Sequence, residues 1–173
     1  MKKIFSVPVL LLWISSAIAQ DSFIVPDISD ANKLARMVFQ ANGFILNSIN
    51  YAKSIGKTLE DVAIFTGDQF MYTWNKDDGY AGFVRGTLSN WVCFIPDGGI
   101  EILEQSGNMI KFRAREIYPD LKMAGSFFNV TYEEYLTFLR IVHEKIAGYL
   151  GSEYSQEVTP EGLMVTIKKK NIN

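Results

Sequence analysis

The stretch TYEEYLTFLRIVHEKIAGYLG, residues 131–151, decides the fold. Thr131 followed three positions later by Glu134 is a capping box, in which each side chain satisfies the other residue's free backbone N–H at a helix start. Tyr135, Phe138, Leu139, Val142, Ile146 and Tyr149 then recur at steps of three and four, one apolar stripe of a helix. Gly151 stands where a left-handed residue ends such a helix. The spacing therefore predicts a long helix over 132–150. Downstream, 154–158 and 163–168 flank the turn Pro160-Glu161-Gly162, so they read as a hairpin with Leu163, Val165 and Ile167 pointing inward. Upstream, the turn Pro96-Asp97-Gly98-Gly99 leads into a second hairpin, 100–104 and 109–116, joined by Ser106-Gly107-Asn108. There Ile110, Phe112 and Ala114 alternate with Lys111, Arg113 and Arg115, giving one core face and one wet face.

The first part of the chain is helical by the same tests. An arm over 20–26 precedes Ser29, placed as an N-cap ahead of Leu34, Met37, Val38, Ala41, Phe44, Ile45, Ser48 and Ile49. This helix should reach about Ser54 and stop at Gly56. Thr58 with Asp61 opens a second helix carrying Val62, Ile64, Phe65, Phe70, Met71 and Trp74, interrupted by Gly67. Asp77 or Asp78 caps a third, with Ala81, Val84, Leu88 and Trp91 on one face and Gly82 and Gly86 four apart for close packing. The order of helices, hairpin, long helix, hairpin predicts one α+β domain over 20–173, its antiparallel sheet of two hairpins covered on one face by helices.

Residues 1–19 have the layout of a secretory signal peptide: Lys2 and Lys3, an apolar run from Ile4 to Ile14, and small residues in Ala17-Ile18-Ala19. Cleavage before Gln20, a periplasmic or secreted address and no membrane span are expected, the apolar run falling short of the ~20 residues a bilayer needs. The whole chain of 173 residues carries 17 basic and 19 acidic side chains, and losing Lys2 and Lys3 moves the net charge from −2 to −4. That balance excludes a nucleic-acid footprint, and Lys168-Lys169-Lys170 reads as a solvated strand end.

Chemistry is sparse. The single cysteine, Cys93, cannot form an internal disulfide; inside Trp91-Val92-Cys93-Phe94-Ile95 it reads as a small buried hydrophobe. The single histidine, His143, rules out a histidine-cluster metal site, so no metal or other cofactor is expected, although one haem ligand is compatible with it. Glu133 and Glu134 point about 100° apart and favour the helix start electrostatically. No GxSxG, HExxH, P-loop or GxGxxG pattern occurs. Asn129-Val130-Thr131 fits a glycosylation sequon, but the short n-region is bacterial in type and Thr131 is needed as a cap.

What exceeds expectation is an aromatic content of 13%, concentrated in the middle of the chain. Rings between helices and a sheet suit a flat or apolar ligand, which nominates Phe70, Trp74, Trp91 and Phe128, with His143, as a ligand-binding set. The closing part, from Phe138-Leu139-Arg140-Ile141-Val142-His143 through Met164-Val165-Thr166-Ile167, resembles over 99–168 the end of vinyl-reductase-type small-molecule-binding domains and their haem nitric-oxide-sensor relatives. The resemblance implies an α+β ligand-binding domain, often dimeric. The haem branch's tyrosine-serine-arginine signature and the metal branch's cysteines are missing, so neither group carries over.

Three functions follow in order of support. The first is an exported, non-enzymatic small-molecule-binding domain, of sensor or carrier type, with an aromatic-lined apolar pocket. The second is a small hydrolase or isomerase using Cys93 or His143. The third is a structural adaptor that forms a homodimer through its first helices, with Gly82 and Gly86 at the contact.

Overall fold

The computed structural model describes residues 28–95 and 99–171. The expected signal peptide and arm (1–26) and most of the Pro96–Gly99 turn lie outside the described residues. The helices are α1 (Asp30–Ser54), α2 (Leu59–Phe70), α3 (Gly79–Phe94), α4 (Pro119–Ala124) and α5 (Tyr132–Tyr149). The strands are β1 (Ile100–Gln105), β2 (Met109–Ala114), the short β3 (Ser126–Phe127) and β4 (Val130–Thr131), then β5 (Ser152–Thr159) and β6 (Gly162–Lys169). The fold is α+β, with an antiparallel sheet.

The sheet order is β1-β2-β6-β5, each neighbouring pair antiparallel. Thr159 pairs with Gly162, so the second hairpin turns on Pro160 and Glu161 alone. Ile110, Phe112 and Ala114 lie beside Ile167, Val165 and Leu163, and all six are buried. These alternating positions make the inner face on which α5 and α3 rest. Both members of the Thr131–Glu134 capping box are formed, as are those of Thr58–Asp61.

Helix α5 is covered on two sides. Besides Tyr135, Phe138, Val142 and Ile146 it buries Tyr132, Leu136, Ile141 and Ala147, because α2 lies along the side turned from the sheet. Gly67 permits that approach: a Cβ there would meet the Lys145 side chain and the Val142 backbone. Lys145 then reaches Asp68 at 2.8 Å.

Three helical faces differ from the sequence reading. In α1 the buried residues are Asn42, Leu46, Ile49 and Ala52; Leu34, Met37 and Phe44 are exposed. The helix buries residues only in its second half, packing chiefly on α2 and β4 through a stripe beside the one expected, while Phe39 reaches the Tyr118 ring. In α2, Ala63 and Gly67 are buried, while Ile64, Phe65 and Phe70 face outward. In α3, Gly82, Phe83, Thr87 and Trp91 are buried and Ala81 is not. Asp78 makes no capping bond; Asn75 caps the preceding 3₁₀ turn (Lys76–Asp78) instead. Gly82 and Gly86 meet their own chain, at the side chains of Asp78 and Trp74. Cys93 is exposed; two residues past Trp91, it sits about 200° around the helix from the buried stripe.

Candidate functional site

Two places gather the residues that could act. The interior one is a run of aromatic rings. Helix α3 puts Phe83, Thr87 and Trp91 at four-residue steps on its inner face, and the Trp74 ring lies over Gly86, where any side chain would collide with it. Trp74 contacts Phe83 at 5.7 Å between centroids, Phe83 contacts Tyr154 at 6.3 Å, and Tyr154 stacks on His143 at 4.9 Å with 16° between planes. His143 meets Trp91 at 6.1 Å, and Trp91 meets Phe112 at the same distance. At such separations the rings pack on one another.

His143 has a defined proton. Its Nδ1 is 2.7 Å from the Leu139 carbonyl, which can only accept, so Nδ1–H donates and Nε2 keeps its lone pair. Burial holds its pKa below the ordinary 6.5, opposed by that hydrogen bond, so the ring is neutral near pH 7. Thr87 Oγ1 and Trp91 Nε1 are buried without a hydrogen-bond partner among the described residues. Among the described residues no group of three or more His, Cys, Asp or Glu side chains could hold a metal ion, and no helix is long and apolar enough to cross a membrane.

Of the five residues nominated from sequence, the structure brings Trp74, Trp91 and His143 into this run. Phe70 is exposed at the end of α2. Phe128 is exposed at the turn between β3 and β4, in a left-handed conformation with φ +51°.

The second place is open. The α1–α2 connection is built from local signals: Lys57 N–H donates to the Ala52 carbonyl at 2.9 Å and Gly56 N–H to that of Lys53 at 3.1 Å, with Gly56 at φ +78°. That double bond and the left-handed glycine form a Schellman motif. Thr58 starts the next helix at once, so the two helices diverge from a short corner. Between them lies a groove of about 660 Å³, lined by Tyr51, Ala52, Ile55, Val62 and Phe65, with Asn47, Ser48, Lys57 and Asp61 supplying polar atoms. The Asp61 carboxylate accepts the Thr58 N–H at 3.0 Å, and this bond holds its pKa below the usual value. A smaller cleft of about 200 Å³ beside Arg113, Arg115 and Glu161 is charged, with Arg113 paired to Glu101 at 2.9 Å.

None of the five nominated residues lines the groove. Sequence reasoning assigned α1's apolar residues to a single core-facing stripe. The available signal was an excess: more apolar positions than one stripe needs, including Tyr51 and Ile55 beyond it.

No family model, curated protein or solved structure matches the chain.

Proposed function

We propose that this protein is a non-catalytic binding module that takes a small apolar or aromatic molecule in the groove between α1 and α2. The groove itself carries the reading. Its size falls within the ~300–1,000 Å³ of small-molecule sites, and Tyr51, Ile55, Val62 and Phe65 form apolar walls with few polar groups among them. The export signal expected at 1–19 belongs to the same proposal and gives the module a place outside the cytoplasm; N-terminal sequencing of the exported protein should begin at Gln20.

The probe is 1-anilinonaphthalene-8-sulfonate, an amphiphilic aromatic dye. Titration of the purified protein should give saturable binding at one site per chain. Tyr51→Ala with Phe65→Ala should weaken it by about tenfold or more, without loss of fold, since both side chains are exposed. Unsaturable binding, or binding untouched by the pair, overturns the assignment. The nominated interior rings are the rival location. Affinity that falls with Trp74→Ala and not with Tyr51→Ala would move the site to the sheet side of the molecule.

A further inference from the structure

We infer that α1 pairs antiparallel with α1 of a second copy of this chain, and that the second copy closes the open side of the groove. The pairing stands by itself; the closure rests on the binding reading above.

The first observation is a period. Leu34, Met37, Ala41, Phe44, Ser48, Tyr51 and Ile55 follow steps of three and four without a break, the seam of a coiled coil. This seam lies beside the stripe that packs on the chain's own body. Leu34, Met37, Phe44, Tyr51 and Ile55 are 41, 66, 74, 64 and 55% exposed. Between the large residues sit small ones, Ala41 and Ser48, and the Ser48 hydroxyl is already engaged with the Phe44 carbonyl at 2.8 Å.

The seam complements itself in one direction. With the helices antiparallel about a two-fold axis near Leu46, Phe44 faces the partner's Ser48, Tyr51 faces the partner's Ala41, and Met37 faces the partner's Ile55. Large meets small in the central layers, as interdigitated packing requires. A parallel pair would instead set Phe44 on the partner's Phe44 and Ala41 on the partner's Ala41.

Area and charge agree. At roughly 170 Å² per large apolar side chain, the five exposed seam residues leave about 500 Å² per copy, and Phe65 across the groove adds about 100 Å² toward the ~800 Å² per partner of a standard interface. Exposed apolar area of that extent is at the upper end of what a monomer usually carries. At one end of the seam Lys33 is paired with Asp30 at 2.8 Å, which leaves Arg36 as the net positive charge there. At the other end, Glu60 and Asp61 outweigh Lys57, and Lys53 is engaged with Glu134 at 2.9 Å. Antiparallel pairing sets basic against acidic.

Ser48, Tyr51 and Ile55 belong to both seam and groove. The partner's Met37, set over Ile55, therefore becomes a wall, and two copies make two enclosed sites related by the axis.

Sedimentation equilibrium from low micromolar to near millimolar protein tests the pairing, with Phe44→Glu and Met37→Glu as variants outside the groove. The expected result is a dimer for the native chain and monomers for both variants, each with an unchanged circular dichroism spectrum. Register is read on a Cys93→Ser background under air oxidation catalysed by copper–phenanthroline. Met37→Cys with Ile55→Cys should give a covalent dimer, and neither alone should. A native monomer throughout, a dimer that survives both glutamates, or cross-linking by Met37→Cys alone each overturns the pairing. Closure predicts dye binding about tenfold weaker in Phe44→Glu. Dye binding equal in dimer and monomer overturns closure only. No saturable dye binding in an intact dimer removes the binding reading and leaves the pairing.

Discussion

Helices α5 and α1 are the two longest elements, and they stand in opposite circumstances. Over 18 residues α5 buries eight, while α1, longer at 25 residues, buries four, all from Asn42 onward. Both are apolar at helical steps. The difference is in what arrives to cover them: sheet and α2 enclose α5, whereas the outer face of α1 is left uncovered among the described residues. Periodicity reports that a helix has an apolar side; it is silent on whether the cover comes from the same molecule.

Truncation should expose that contrast most sharply. Phe112, fully buried beneath α5 and α3, should cost about 3–5 kcal/mol as Phe112→Ala in urea denaturation. Phe44→Ser, equally a loss of a ring, should shift dilute, monomeric protein by less than about 0.5 kcal/mol. Equal losses would mean that the outer face of α1 is covered within the chain.

Next in size is the bond that ties the two helices together. Tyr135 Oη donates to Asn42 Oδ1 at 2.7 Å in a buried setting, and burial raises the tyrosine pKa well above its usual value. Tyr135→Phe leaves the Asn42 oxygen buried and unpaired, at a cost of about 1–3 kcal/mol. Adding Asn42→Leu should recover part of that, and a double-mutant cycle measures how much. Additive losses would show that the bond does not couple α1 to α5. Smaller again, Thr131→Ala removes the cap of α5 and should cost about 1 kcal/mol by thermal melting.

The subtlest effect is on slope. His143 is held neutral in the folded state, its pKa lowered by burial. The unfolded chain therefore binds the proton first, and stability present above about 6.5 should decline as pH falls below that value. His143→Phe keeps a ring against Tyr154 and should flatten the decline in melting temperature between neutral pH and about 5. Glu134 titrates lower: burial raises its pKa, but the hydrogen bonds from Lys53 and Thr131 lower it further, so its loss of stability belongs below the usual carboxylate range. A native decline that survives His143→Phe would assign the effect to other groups.

How much of this could be read beforehand depended on whether the cause was local. Capping boxes, strict alternation in β2 and β6, and Gly56 and Gly151 after helix ends are short-range signals, and they placed α1, α5 and both hairpins. In the segment over 117–130 such signals are few: Pro119 opens α4 and Gly125, at φ +80°, closes it. Its other turns use Tyr118, Phe128 and Asn129 at positive φ, where glycine would be the ordinary marker. Tyr118 is held there by ring contacts with Phe39, Phe127 and Tyr135, all set by tertiary packing. Cys93 was misplaced for a related reason: an apolar run over 91–95 does not tell which residues face in once it winds into a helix. The rings of Trp74, Trp91 and His143 meet in one run, a mutual contact that could not be read from composition. The groove's shape was not legible, because it is the gap between two helices set apart by a corner; only the surplus of apolar positions on α1, Tyr51 and Ile55 among them, pointed toward it.

The Tyr135–Asn42 bond joins positions 93 apart in sequence. The hairpin-helix-hairpin unit closes over far shorter separations, and non-local contacts are the slow ones to form. On the ribosome, α1 is made early and has only α2 to pack on until Tyr135 emerges, with Leu34, Met37 and Phe44 bare throughout. A nascent chain of this design has a built-in period of vulnerability, in which sticky helical surface precedes the body that immobilises it. Whatever shields that surface during synthesis governs how much protein reaches the native state.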